Sequence, residues 1–214
     1  MISILIASRG RPERLKLAVE AIRDTQRFDN EIILGLDSDD VKYPDLNCRV
    51  FTFDGLGASE KWYQIQKHAT KDYLFAMGDD QICITKDWDE KYISYMPEDG
   101  IAAVIHRDDP SKHRGATGAM VSSRWHKEIE YFPPHFWHFY ADTWICEIAE
   151  SIGRMVFADD VVIDHRHAKF GKSEWDETYN RRTKPQKRIW ESTRRERIEK
   201  AEKLKALLNT PWIK

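Results

Sequence analysis

The sequence predicts an α/β fold, a mixed sheet flanked by helices, on three observations. Apolar runs of strand length alternate with helically spaced apolar residues over the first 80 residues or so. The later runs of this stretch end in acids or glycines. The first run, Ile2 to Ala7, is apolar throughout apart from Ser3, as expected of a parallel strand buried on both faces.

Each element has its own signal. After the first strand, Ser8-Arg-Gly-Arg-Pro12 breaks the run, and Pro12 suits a first helical turn. Leu15, Ala18, Val19 and Ile22 follow helical spacing. Glu31 to Leu36 and Val50 to Phe53 read as strands that end in Asp37-Ser-Asp-Asp40 and Asp54-Gly-Leu-Gly57. Ser59 is placed to cap a helix that turns Trp62, Ile65 and Ala69 inward. Tyr73 to Met77 is the next strand. The order β-α-β-β-α-β is a nucleotide-binding pattern. Neither a Gly-x-Gly-x-x-Gly nor a Gly-Lys-Ser/Thr follows a strand, which excludes the dinucleotide and P-loop fingerprints.

Further on, Trp88 to Met96 reads as a short helix stopped by Pro97, and Ile101 to Ile105 as a strand. His106 to Gly118 is a charged, glycine-containing loop, Ala119 to Ser122 a short strand, and Arg124 to Tyr131 a helical turn or two. The aromatic segment Phe132 to Tyr140 precedes a helix opened by Asp142, which carries Ile145, Ile148, Ala149 and Ile152 inward and closes at Gly153. Met155 to Phe157 and Val161 to Ile163 read as two strands. A long charged helix is expected from Pro185 to about Leu208.

With 214 residues, 41% hydrophobic and 33% charged, the chain suits one α/β domain plus an appendage: a domain over 1–180 and a helical extension over 181–214. The formal net charge of −2 gives no global argument for nucleic acid. No apolar run approaches membrane-spanning length, and the apolar start lacks the basic residues of a signal peptide. Cys48, Cys83 and Cys146 show no paired spacing and read as reduced thiols of a cytoplasmic protein.

The chain centres on Gly78-Asp79-Asp80, which ends the Tyr73 strand. Ligands of open α/β sheets bind beyond the carboxyl ends of strands. Adjacent acids there repel unless a cation joins them, and oxygen ligands of this kind suit Mg²⁺ or Mn²⁺ holding phosphates. Gly-Asp-Asp is also good turn chemistry. His165 and His167 are two apart, so on a strand they share a face, and imidazole beside a carboxylate suits Mn²⁺; His165 is the preferred ligand. Arg9 or Arg11 could reach a phosphate, with Arg11 read as solvated. Trp62 reads as core. Trp137, His138 and Trp144 could stack on a sugar or form core. Asp142 can cap its helix.

These motifs in this order resemble a small GT-A glycosyltransferase, closest to the family-2 type. The resemblance runs from about Ile2 to Tyr179, through Ile4-Leu-Ile-Ala-Ser-Arg9, Gly35-Leu-Asp-Ser-Asp-Asp40, Gly78-Asp-Asp80, Ala141-Asp-Thr-Trp144, Asp164-His-Arg-His167 and Asp176-Glu-Thr-Tyr179. Gly78 stands where the first acid of the family's Asp-x-Asp often does. The resemblance implies a nucleotide-sugar donor, a glycan or other hydroxyl acceptor, and Mn²⁺ or Mg²⁺ held by Asp80 and His165. It implies Asp37 on the nucleotide base, with Ala7, Ser8, Arg9, Lys61 and Asp79 in the nucleotide-sugar site. It makes Asp142 the catalytic base of an inverting transfer, with Glu147 or Asp109 as substitutes.

Two other readings compete. Gly-Asp-Asp after a strand is also a polymerase signature, which suggests a two-metal nucleotidyltransferase. A non-catalytic nucleotide-sugar or glycan binder would keep Asp37 and the aromatics without needing Asp142. The segment from Arg181 to Arg197 carries a local charge of +6, from Arg181, Arg182, Lys184, Lys187, Arg188, Arg194, Arg195 and Arg197 against Glu191 and Glu196. It reads as a solvated helix packing Trp190, Ile198 and Leu204, with peripheral contact to an anionic membrane or a nucleic-acid acceptor as the alternatives.

Overall fold

A computed structural model describes residues 1–108, 114–180 and 186–212. Asp109, Arg181, Arg182, Lys184 and the expected helix start at Pro185 lie outside the described residues.

The first half follows the expected order: β1 (Ile2–Ala7), α1 (Pro12–Thr25), β2 (Glu31–Asp37), β3 (Arg49–Phe53), α2 (Ala58–Ile65) and β4 (Tyr73–Gly78). Pro12 opens α1, where its missing N–H costs no hydrogen bond. Leu15, Ala18, Val19 and Ile22 bury one stripe of the helix. Strands β3, β2, β1 and β4 lie side by side and parallel, with Ala7 level with both Gly35 and Gly78. That register brings the carboxyl ends of β1, β2 and β4 to one edge.

Then come β5 (Gln81–Cys83), α3 (Trp88–Ser94), β6 (Ala103–Arg107), β7 (Arg114–Ser122), α4 (Ser123–Ile129), α5 (Ala141–Ser151), β8 (Met155–His165), α6 (Glu177–Asn180), α7 (Lys187–Ser192) and α8 (Arg194–Lys205). The eight strands run in the order β3-β2-β1-β4-β7-β6-β8-β5. β7 is antiparallel to both β4 and β6, so the sheet is mixed. Alternate β1 residues feed two cores. Leu5 joins the layer of α2, α4, α5 and α8, while Ile2, Ile4 and Ile6 join that of α1 and α3.

Several expectations are corrected. Ser59 does not cap α2; Gly57 does, and a Cβ there would lie 1.8 Å from the Trp137 carbonyl oxygen. Ser59 sits inside the helix and donates to the His138 carbonyl at 2.9 Å, so this turn clamps the aromatic segment. β7 reaches back into the expected 106–118 loop. The two short strands near 155 and 163 are one strand, β8. Its register against β6 jumps between Ile105↔Phe157 and Arg107↔Val162; the bulge lets Asp159 and Asp160 face solvent without ending the strand.

The expected C-terminal helix is two, α7 and α8, separated at Thr193, whose hydroxyl donates to the Ile189 carbonyl. Arg197, Ala201 and Leu204 face the core, which leaves Ile198 53% exposed rather than packed. Arg197 lies 3.6 Å above the Trp190 ring and pairs with Glu147 at 2.9 Å. The exposed charges pair along the helix surface, Arg195 with Glu199 and Lys187 with Glu191.

Candidate functional site

The carboxyl ends of β1, β2 and β4, the start of α5 and the end of β8 enclose a pocket of about 340 Å³. Ala7, Ser8, Arg9, Asp37, Lys61, Asp79, Asp80, Asp142 and His165 all line it. The fold therefore brings together the nine residues that the sequence reading placed on the donor, the metal and the acceptor proton. Trp137, His138 and His167 line it too, as does Trp62, which stacks on Phe132 at 5.4 Å in the wall rather than serving as core alone. Trp144 does not: it is 1% exposed and packs edge-on to Phe136.

At the end of β2, Asp37 is buried and held by Lys61, whose ammonium group also donates to the Ser8 carbonyl at 3.2 Å. Arg9 reaches Asp37 at 3.2 Å and forks onto Asp39. Asp40 accepts from the Gly10 N–H and the Tyr43 hydroxyl, so the acids after β2 brace the loop after β1.

At the centre, Arg11 is not solvated. Its guanidinium is buried, donates twice to Asp176 and once to Asp79 at 2.9 Å, and lies 4.1 Å from the Tyr179 ring centre. One cation thus joins the loop after β1, the end of β4 and α6. Asp79 also accepts from the Ser8 hydroxyl at 2.7 Å. Burial and the adjacent Asp80 push the Asp79 carboxyl up to about 6 against the pull of Arg11.

Asp80 has different partners. His165 Nε2 stands 3.4 Å from its Oδ1, and the Tyr179 hydroxyl donates to Oδ2 at 2.9 Å. Burial raises this carboxyl, but His165, Tyr179 and Arg11 outweigh it and hold Asp80 well below the usual range. Burial lowers His165, yet Asp108 and Asp80 overcome this and raise its imidazole to about 9. His167 lies beyond the strand end, and its Nδ1 accepts the Lys169 N–H at 2.9 Å.

Asp142 is the second residue of α5, inside the helix and not its cap; the residue before the helix is Tyr140, with φ of 73°. Its Oδ1 accepts the Thr143 N–H at 2.8 Å. Crowding by protein outweighs the backbone donors at the helix start and raises the Asp142 carboxyl above the usual range. Glu147, the substitute base, is drawn away by Arg197 onto α8.

Ligands at right angles on an octahedral cation of Mg²⁺ size lie about 3 Å apart, given bonds of about 2.1 Å. The 3.4 Å separation of Asp80 Oδ1 and His165 Nε2 fits that geometry. Among the described residues no group of three or more His, Cys, Asp or Glu converges as a self-sufficient metal site. A cation here would complete its shell with water, or with phosphate oxygens when a nucleotide is bound.

Sequence reasoning missed Arg11 as a buried group, and it missed Tyr179 and Asp108. Tyr179 stood in a quoted motif, Asp176-Glu-Thr-Tyr179, without a role; Asp108 carried no local signal.

No protein-family model matches the chain, and no curated protein matches it by sequence. By shape it is similar to solved structures. One is residues 1–349 of TarS from S. aureus in complex with UDP-GlcNAc, with a TM-score of 0.66 at 9% identity, covering 100% of this chain and 68% of that one. Another is the mannosyltransferase PcManGT from Pyrobaculum calidifontis in complex with GDP-Man and Mn²⁺, with a TM-score of 0.63 at 10% identity, covering 97% and 73%. A third is glucosyl-3-phosphoglycerate synthase from Mycobacterium tuberculosis with Mn²⁺, UDP and phosphoglyceric acid, with a TM-score of 0.57 at 12% identity, covering 80% and 70%. The alignment spans 36% of a longer TarS chain. The fold is that of GT-A glycosyltransferases. No helix among the described residues is long and apolar enough to cross a membrane.

Proposed function

We propose that the chain is a divalent-metal-dependent, inverting glycosyltransferase that moves a sugar from a nucleoside-diphosphate donor to an acceptor hydroxyl. The observation that carries this reading is the convergence in one pocket of Asp37, Asp80, His165 and Asp142, delivered by β2, the turn after β4, β8 and α5.

Asp37 and the backbone of Ala7 and Ser8 hold the nucleotide, with Lys61 fixing the Asp37 carboxylate. Asp80 and His165 would hold the divalent cation, Mn²⁺ or Mg²⁺. When bound, the metal stabilises the charge that develops on the leaving nucleoside diphosphate. To ligate through Nε2, His165 would be neutral, with its Nε2 proton given up to solvent, and Tyr179 would keep its hydrogen bond to the other Asp80 oxygen. Asp142 takes the proton of the acceptor hydroxyl as the new bond forms; a raised pKa brings a carboxylate nearer the operating pH and makes it a better base. Trp137 and His138 give the acceptor sugar an aromatic wall.

The partners of Asp79 weigh against a two-metal nucleotidyltransferase. Ser8 and Arg11 occupy its oxygens, which leaves Asp80 as the acid turned to a metal. A cytoplasmic setting is consistent with three free cysteines, and weak contact of α8 with an anionic membrane remains part of the proposal. Thermal melts with UDP, GDP and dTDP sugars, with and without Mn²⁺, test the site. One nucleotide family is expected to raise Tm in the presence of Mn²⁺ and much less in EDTA; no shift with any nucleotide would remove the donor site.

A further inference from the structure

Behind the pocket wall runs a line of buried polar groups that the proposed reaction leaves unused. The parallel pairing of β6 and β8 sets Asp108 beside His165, and the His165 backbone N–H donates to the Asp108 backbone carbonyl at 2.8 Å. The Asp108 side chain faces two imidazoles. Its Oδ2 lies 3.8 Å from His165 Nδ1, and its Oδ1 lies 3.1 Å from His106 Nε2. His106 Nδ1 in turn stands 3.1 Å from the Tyr92 hydroxyl, which donates to the Val104 carbonyl at 2.7 Å. His106 and Tyr92 are 1% and 0% exposed, within the core formed with Phe75 and Trp88.

A carboxylate and an imidazole in such a core are costly unless each is paired, and a buried ion pair is weak evidence for stability. Their placement points to a different use. An imidazole metal ligand needs its far nitrogen held, because that contact fixes both the tautomer and the ring angle. His165 presents Nε2 to Asp80, and Nδ1 is the nitrogen that Asp108 faces.

We propose that Asp108 is a positioning residue whose carboxylate, 3.8 Å from His165 Nδ1 and 3.1 Å from His106 Nε2, orients the His165 imidazole by charge, so that Nε2 stays aimed at a cation beside Asp80. The inference rests on the reading of Asp80 and His165 as the metal site. Asp108 itself does not line the pocket and touches no reacting atom.

The test uses the full chain and Mn²⁺ alone. Mn²⁺ affinity is measured by the EPR signal of the free ion, and imidazole ligation by the ¹⁴N modulation of the bound ion. The wild type is expected to show one coupled imidazole nitrogen. Asp108→Ala should bind Mn²⁺ 10–100-fold more weakly, the usual loss on removing such a supporting group, and should lose most of the nitrogen modulation. Asp108→Asn keeps an acceptor oxygen, so it should recover part of both and serves if the alanine variant folds poorly. Asp99→Asn is the control, since Asp99 is a buried carboxylate tied to Arg154 at 2.8 Å outside the pocket. It should change Tm but not Mn²⁺ binding. Unchanged affinity and full nitrogen modulation in Asp108→Ala would overturn the positioning role alone. No nitrogen coupling in the wild type would overturn the metal-site reading and this inference with it.

Discussion

Replacing Arg11 with methionine removes one cation from among three carboxylates while keeping much of the side-chain volume. Arg11 is 7% exposed and donates to Asp79 and twice to Asp176, while Asp80 stands 3.9 Å away. Removing one partner of a buried pair leaves uncompensated charge and costs about 3–5 kcal/mol. Asp176 is 30% exposed on its side chain, so water recovers part of its loss and the lower half of that range applies. For a chain of this size, about 3–4 kcal/mol lowers Tm by roughly 6–16 °C. The pH dependence has a definite sign. Without Arg11, Asp79 rises further above its unfolded value, and ionising it opposes folding; that penalty is full above its folded pKa and is relieved as pH falls. Asp176, held low by Arg11 despite burial, stabilises the wild type above the usual carboxylate range and loses this as pH falls. The gap between variant and wild type should therefore be widest near pH 8 and narrow toward pH 4. Mn²⁺ should also restore part of the loss, since a cation at Asp80 repairs the charge balance. Urea melts across pH, with and without Mn²⁺, measure all three effects. A loss below about 1 kcal/mol at pH 8 would refute the account of Arg11 as the counter-charge of the site.

Asp142→Asn should slow transfer by about 10²–10⁴-fold while leaving donor affinity unchanged, as read by steady-state kinetics and titration calorimetry. Its Tm at pH 7–8 should match or exceed that of wild type. The raised Asp142 carboxyl costs stability from the unfolded carboxylate's pKa upward, and in full above its folded pKa. In the wild type, log kcat/KM should fall with unit slope below a pKa higher than that of an ordinary carboxylate, and the pH–rate profile measures it. Asp80→Ala should nearly abolish turnover and the Mn²⁺ requirement together, checked by activity against added metal after EDTA treatment. Asp37→Asn should raise KM for the donor and spare kcat, because the contact is argued to be remote from the reacting carbon; a large fall in kcat at saturating donor would contradict it.

The parts of the site legible in the sequence are those that topology alone assembles. Once β1, β2 and β4 are parallel neighbours, Ser8, Asp37 and Asp79-Asp80 must meet at one edge, and apolar runs followed by acids announce such strands. His165 was legible because it ends an apolar strand. The rest depends on distant pairings. Arg11 finds Asp79 from 68 positions away and Tyr179 finds Asp80 from 99, and nothing near an arginine in a Ser-Arg-Gly-Arg-Pro loop marks it as buried. Trp144 illustrates the converse. Aromatic density suggested a sugar platform, but helical phase turns Trp144 into the core and leaves Trp137 and His138 on the pocket. The single strand β8 was misread as two because a bulge places Asp159-Asp160 at its middle, where polarity mimics a turn.

The central claim is sugar transfer from a nucleoside-diphosphate donor, and release of that diphosphate tests it most directly. The full chain is incubated with Mn²⁺ and a panel of UDP, GDP and dTDP sugars, with and without simple glycoside acceptors, and nucleoside diphosphate is quantified. The account predicts release from one donor class, dependent on metal, abolished by Asp80→Ala and cut by at least about 10²-fold by Asp142→Asn. Nucleoside diphosphate release that persists undiminished in Asp142→Asn, or pyrophosphate as the product in place of nucleoside diphosphate, would contradict it.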